Sequence, residues 1–278
     1  MYDKIEKLSC GSLIQHGPYN DRIYLFNATD KDLYTLPARL IDMAVEKGYG
    51  KIFAKLDEMK SLPFLSEGFI VEARIPAMYA RDREGVFLAY YLDKARKVEP
   101  KSRLYEKNLK LAMDKQNKKH RVLPMKRFNI RACSGQDIPA MKNVYQKVFK
   151  TYPFPIHEAS YLEQTMLDNV DYYCIEKDGK IVALSSAEKD MDDNYAEMTD
   201  FATLPEWRGN RFALYLLDKM EIAMESQGIK TAFTIARSAS PGMNITFAKA
   251  GYSYGGRLKN NTNISGQIES MNIWYKKL

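Results

Sequence analysis

The chain has 278 residues, 45% apolar and 28% charged, with 15 Gly, 11 Pro and a formal net charge of +7. That length exceeds one comfortable hydrophobic core and predicts two domains of about 100 to 150 residues each; the composition excludes disordered, collagenous and coiled-coil chains. VFLAYYL at 86–92 is far shorter than the roughly 20 residues a membrane span needs, the N-terminal MYDKIEKLSCGS lacks the apolar segment of a signal peptide, and the sequence calls for no membrane. Cys10, Cys133 and Cys174 form no C-x-x-C pair. They argue against a disulfide framework and a zinc site, and fit a reducing cytoplasm.

From the N-terminus, LPARLIDMAVEKG has helical periodicity, KIFAKL reads as a strand, MKSLPFLSEG as a helix and FIVEARIP as a strand. Residues 94–127 then hold 13 Lys/Arg against 3 Asp/Glu, which leaves the rest of the chain with a net charge of −3. This segment is helix-prone, with weak apolar periodicity through Leu104, Tyr105, Leu109, Leu111 and Met113. It reads as a basic helical connector over 96–127 between domains 1–95 and 128–278. A solvated charged helix accounts for it, with docking on nucleic acid or another acidic partner as the alternative. Beyond it, FNIRACS (128–134) is a strand, and QDIPAMKNVYQKVF (136–149) and SYLEQTMLDN (160–169) are helices on either side of a kinked TYPFPI turn. Three strands follow in YYCIEKDGKIVALSSAEKDMDDNYAEMTDFATL. A glycine-bearing loop leads to the amphipathic helix ALYLLDKMEIAMESQ, closed at Gly228. TAFTIA is a strand, GMNITFAKAG a helix, and YSYGGRLK and SMNIWYKKL are the last two strands, giving the order βααβββαβαββ.

The loop PEWRGNRFA stands at the start of a helix, where backbone N–H groups point outward unpaired and the helix dipole favours a phosphate. With the strand order, it resembles the GNAT family of acetyltransferases, whose hallmark there is Q/R-x-x-G-x-G/A. Arg208, Gly209, Asn210, Arg211, Phe212 and Ala213 meet that pattern at the first and last positions, with Arg211 in place of the central glycine. NITFAKAGY is similar to a helix of the same family. The resemblance implies an α/β (α+β) fold, acetyl-CoA as co-substrate and no metal. TYPFPI, AEMTDFATLPEWRGN, IKTAFTIARS, GMNITFAKAGYSYGG and LKNNTNISGQIESMNIWYK, with FAKL and GFIVEARIP in the first half, further resemble the β-lysine N-acetyltransferase family. That family acetylates the ε-amine of β-lysine to make the compatible solute Nε-acetyl-β-lysine, an osmoprotectant. Fold alone does not set the amine. A GNAT enzyme of another amine (a polyamine, an amino acid or a protein lysine) and a non-catalytic module using the basic connector are the competing readings. A small-molecule amine is the implied partner, without nucleic acid, and a homodimer is open to the chain.

An internal repeat supports the domain division. The elements from LPARLIDMAVEKG to FIVEARIP echo those from DKMEIAMESQG to YSYGG. Gly48 maps to Gly228 at a spacing of 180, and Phe64 with Gly68 and Phe69 to Phe247 with Gly251 and Tyr252 at 183. The first half thus reads as a degenerate half-GNAT-like α/β domain. NATDKDLYTLP before its helix contains no glycine for a phosphate loop, so this half is expected to pack against or extend the catalytic sheet.

A lysine-like amine has a pKa near 10.4, so only about 0.1% is neutral at pH 7.4 and a proton acceptor is needed. Glu197 and Asp200 lie on the fourth strand of the second half, on opposite faces unless a bulge re-aims one. Glu197 is the expected acceptor and Asp200 the second. The resemblance further implies that Phe201, Ala202 and Thr203 hold the thioester and pantetheine arm by backbone groups, and that Asn244 contacts the coenzyme. Phe247 stands where many relatives carry a tyrosine acid, which leaves water or Tyr252 to supply a proton. For the amino-acid end of the substrate, Arg237 suits the carboxylate. Asn260, Asn261 and Asn263 in the final hairpin, with Glu269 and Asn272, offer polar partners, and Tyr152, Phe154 and Pro155 wall the methylene chain.

Overall fold

A computed structural model of the chain describes residues 2–116 and 127–278. Its first half contains β1 (Lys4–Lys7), β2 (Leu13–Gly17), β3 (Arg22–Asn27), α1 (Leu36–Lys47), β4 (Lys51–Asp57), α2 (Leu62–Ser66), β5 (Ile70–Tyr79) and β6 (Arg83–Tyr91). The helix α3 (Ser102–Gln116) follows. The second half contains β7 (Asn129–Ala132), α4 (Ile138–Val148), α5 (Ala159–Asp168), β8 (Val170–Lys177), β9 (Lys180–Asp190) and β10 (Tyr195–Thr203). It ends with α6 (Phe212–Ser226), β11 (Thr231–Arg237), α7 (Pro241–Lys249), β12 (Ser253–Ile264) and β13 (Gln267–Lys277). The expected order βααβββαβαββ is the order found from β7 to β13.

These elements follow local rules. Along α1, Leu36, Leu40 and Ala44 recur every four residues and are buried, and the helix stops at Gly48, whose N–H caps the carbonyls of Ala44 and Val45. Helix α7 starts at Ser240, whose hydroxyl accepts from the N–H of Met243, with Pro241 at the first helical position. Asn260, Asn261 and Asn263 do lie in the final hairpin, within β12, and its turn, which the asparagine run could have supplied, is made by Ser265 and Gly266 at φ 55° and 81°. The polar run instead forms an irregularity of β12 between Leu258 and Thr262.

All thirteen strands belong to one sheet, ordered β1-β2-β3-β4-β6-β5-β12-β13-β11-β10-β9-β8-β7. The order β2-β3-β4-β6-β5 repeats as β9-β10-β11-β13-β12, and each run contains one parallel pair, β3 with β4 and β10 with β11. The equivalent edge strands β5 and β12 meet antiparallel at Ala73 and Gly256, so the first half extends the second half's sheet. Beside this seam, two cations of the first half and one from the segment after β6 hold successive carbonyls of the β12 irregularity: Lys51 Nζ on Lys259 at 2.8 Å, Arg96 Nη2 on Asn260 at 2.7 Å, and Arg22 Nη1 on Asn261.

The sheet is strongly coiled. From β4 to β10 is six strand spacings, roughly 28 Å in a flat sheet, yet Lys55 Nζ on β4 donates to the Tyr195 hydroxyl on β10 at 3.0 Å. Apolar side chains fill the concave face between the halves, with Tyr24, Phe53 and Phe87 against Tyr195, Phe233 and Met271. The expected connector is likewise part of the fold where it is described. Helix α3 buries Tyr105, Asn108, Leu109 and Ala112, and Asn108 Nδ2 donates to the Ser238 carbonyl at 3.0 Å. Leu104, Leu111 and Met113 face solvent, and residues 117–126 of the predicted basic run lie outside the described residues.

Candidate active site

β10 and β11 are neighbours only over Tyr195–Glu197 and Thr231–Phe233. Beyond this, β10 continues along β9 to Thr203 and β11 along β13 to Arg237, so the two parallel strands part. The register of β10 on β9 slips between Thr199 and Ala202, and Asp200 sits there at φ 55°. This is the expected bulge, and it turns Asp200 to the side of Glu197. Both line a cleft at the foot of the splay.

Three carboxylates meet in this cleft. Glu188, which sequence reasoning missed, stands directly opposite Glu197 in the β9–β10 register. Burial pushes the Glu197 carboxyl up to about 7, with Lys55 pulling it down and Asp200 pushing it up. Burial, with Glu197 and Asp200 as negative neighbours, raises Glu188 well above the usual carboxylate range. Burial also raises Asp200, against hydrogen bonds from Ser186, Tyr152 and Thr199 that favour its charge; Ser186 Oγ donates at 2.6 Å, and the Tyr152 hydroxyl donates to the other oxygen. Both Asp200 oxygens are thus engaged, while Glu197 has no comparable side-chain donors. The ammonium of Lys55 is opposed by burial, but the facing Tyr24, Tyr79, Glu197 and Glu188 outweigh this and raise its pKa.

The remaining expected residues divide. Tyr152, Phe154, Phe201, Asn261, Arg237 and Phe247 line the cleft; Pro153 lines it instead of Pro155. Phe247 packs edge-on against Phe201 at 5.6 Å. Arg237 is already committed, because its Nε and Nη2 each donate at 2.9 Å to the buried Glu269. Asn244 is fully buried. Its amide donates to the carbonyls of Arg237 and Ser240, and its oxygen accepts from Asn272 and Trp274, which uses its whole hydrogen-bonding capacity and leaves none for a coenzyme. Asn272 is held by Asn244, Ser238 and Arg257. Asn260 is tied to the carbonyls of Arg96 and Val98, and Asn263 to that of Tyr19. Tyr252 is buried among Phe247, Trp274 and Met220, outside the cleft lining.

At the far end of β10, the exposed loop Arg208–Arg211 opens α6. Gly209 lies at φ 87°, and Arg211, in the family's glycine position, adopts φ 61° and ψ 24° as the residue before the helix. No acceptor among the described residues meets the N–H groups of Gly209, Asn210 and Arg211. Phe212 is buried in the core, and Ala213 completes the first turn.

The first half supplies the cleft's other wall, which sequence reasoning did not foresee. Arg22, Tyr24 and Phe26 from β3, with Phe53 and Lys55 from β4, face the acids of the second half. Phe53 and Lys55 fall in the FAKL segment of the family resemblance, which assigned them no role, and Arg22, Tyr24 and Phe26 showed only the alternation of RIYLFN.

Parting parallel strands, a bulge beside the gap and an open helix N-terminus at its mouth define an acetyltransferase of the GNAT class. A model described as the acetyltransferase (GNAT) family matches residues 139–252. The beta-lysine N(6)-acetyltransferase of Methanococcus maripaludis is 40% identical over 265 residues, covering 95% of this chain and 96% of that protein. The beta-lysine N(6)-acetyltransferase of Methanosarcina mazei is 37% identical, over 62% of this chain and 65% of that protein. N-acetyltransferase YodP of Bacillus subtilis is 39% identical, over 54% of this chain and 55% of that protein. The chain belongs to the GNAT acetyltransferases, in the family of the β-lysine N(6)-acetyltransferases. No described helix is long and apolar enough to cross a membrane.

Proposed function

We propose that the protein transfers the acetyl group of acetyl-CoA to the ε-amine of β-lysine. The observation that carries this reading is the gathering of Glu188, Glu197 and Asp200 where β10 and β11 part, beside a helix N-terminus suited to a pyrophosphate. The open N–H groups of Gly209, Asn210 and Arg211 would hold the coenzyme's phosphates. Backbone groups of Phe201, Ala202 and Thr203 on the free side of β10 would hold the pantetheine arm and the thioester oxygen.

On this reading the carboxylates draw the cationic substrate in, and Glu197 takes the proton of its ε-ammonium. The amine nitrogen then attacks the thioester carbon, the C–N bond forms, and the C–S bond breaks. Phe247 cannot donate a proton, and Tyr252 lies off the cleft. A leaving thiolate with a pKa near 8.5 needs little help, and water carries to it the second proton that the nitrogen sheds as the amide forms. The first half, with no glycine in the loop between β3 and α1, is a copy that binds no coenzyme and walls the amine pocket.

A thiol-release assay with β-lysine, α-lysine, ornithine and spermidine tests the proposal. Moving the second amine by one carbon leaves a buried acceptor unpaired, so β-lysine should exceed α-lysine at least tenfold in kcat/KM. Equal rates, or a preference for spermidine, would overturn the substrate.

A further inference from the structure

Arg22 is the first residue of β3 and only 3% exposed, yet no carboxylate among the described residues comes within ion-pair distance of it. Its Nη1 donates to the Asn261 carbonyl and to Thr262 Oγ1 at 3.1 Å, and the guanidinium rests over the rings of Tyr24 at 5.3 Å and Phe53 at 5.7 Å. Nε is buried without a partner, and Nη2 makes no hydrogen bond. Burial lowers its pKa to about 10, so the group keeps its charge at neutral pH.

Arg237 on the same cleft provides an internal comparison. There the Nε and Nη2 edge, the fork that matches a carboxylate in two parallel bonds, is filled by Glu269. In Arg22 the same edge is free. A buried guanidinium whose nearby carboxylate, Asp3, stays outside ion-pair distance is costly, and a bound anion relieves that cost. The cleft is therefore bipolar, with Glu188, Glu197 and Asp200 facing a substrate's amines and Arg22 suited to an acid.

We propose that Arg22 binds the carboxylate of the substrate, so that the first half of the chain selects an amino acid over a polyamine. This rests on the acetyltransferase reading above and deepens it: the expected carboxylate partner, Arg237, is satisfied by Glu269, and its place is taken by a residue from the other half of the sheet.

The test compares matched pairs that differ only by the carboxylate: β-lysine with 1,4-diaminopentane, α-lysine with cadaverine, and ornithine with putrescine. The wild-type enzyme should favour the acid of whichever pair it turns over by about a hundredfold in kcat/KM. Arg22→Gln should abolish that preference, mainly by raising KM for the acid, while leaving kcat/KM for the diamine and KM for acetyl-CoA within about threefold. Arg22→Lys, which keeps a donor for the Asn261 carbonyl and a charge but loses the fork, should restore only part of the preference. If Arg22→Gln lowers acid and diamine equally, the residue merely supports β12 and the proposal fails. If the wild type prefers the diamine, it fails as well. Turnover of α-lysine or ornithine in place of β-lysine would refute the substrate named above and leave Arg22 judged on that pair.

Discussion

Replacing Glu197 by Gln removes the proposed proton acceptor while keeping the side chain's size. Its carboxyl is pushed up to about 7, chiefly by burial, from an ordinary value of 4.5. A carboxyl raised in the fold favours its protonated form, so the stability it contributes is complete below 4.5 and is lost as pH rises through about 7. Integrating that linkage between pH 5.5 and 8.5 gives a loss of about 2 kcal/mol, lessened by water reaching the cleft. Glutamine cannot ionise, so the variant should gain about 1 to 2 kcal/mol relative to wild type over the same interval in urea unfolding. Its kcat should fall about 10² to 10⁴-fold, and the limb of the kcat/KM profile near pH 7 should vanish. Persistence of that limb, or a stability difference that does not change with pH, would refute Glu197 as the base.

Two further substitutions probe the fold and the phosphate loop. Gly256→Ala should cost about 3 kcal/mol or more, because a Cβ there would stand 2.3 Å from the Glu72 carbonyl oxygen and 2.6 Å from Ala73 Cα, at a φ of 142°; a loss below about 0.5 kcal/mol in urea unfolding would show that the seam is not closely packed. Arg211→Gly should relieve about 1 kcal/mol of left-handed strain at φ 61°, whereas Arg211→Ala keeps the strain, weakens acetyl-CoA several-fold and flattens the salt dependence of its binding; an unchanged salt slope in calorimetry would remove Arg211 from the coenzyme site.

The elements of the second half were legible because each rests on local chemistry. Apolar spacing, Gly228 and the glycine-bearing loop mark α6, and alternation marks β10. Glu197 and Asp200 were legible as a pair because the need for an acceptor and a bulge could be argued from one strand. Glu188 was not, since only the β9–β10 register sets it against Glu197. The pairing of Arg237 was hidden for a related reason: its partner Glu269 lies 32 residues away on β13. The internal networks of Asn244, Asn260 and Asn272 were hidden because asparagine serves interior networks as well as ligands, and its partners are invisible in a linear reading.

The sequence by itself determined the order of elements, the repeat of one half in the other, the helix N-terminus suited to phosphate and the acids of β10. These depend on spacings of 2 and 3.6 residues and on the turn preferences of single residues, which act over a few positions of chain. What only the tertiary structure decided is the composition of the cleft. Arg22 and Lys55 precede Glu197 by more than 140 residues, and they reach its pocket only because the seam at Gly256 joins two sheets into one and the strand twist, accumulated over six spacings, curls it upon itself. That closure depends on the summed twist and on packing among Phe53, Phe87 and Phe233, to which each strand contributes a part that its own sequence does not disclose.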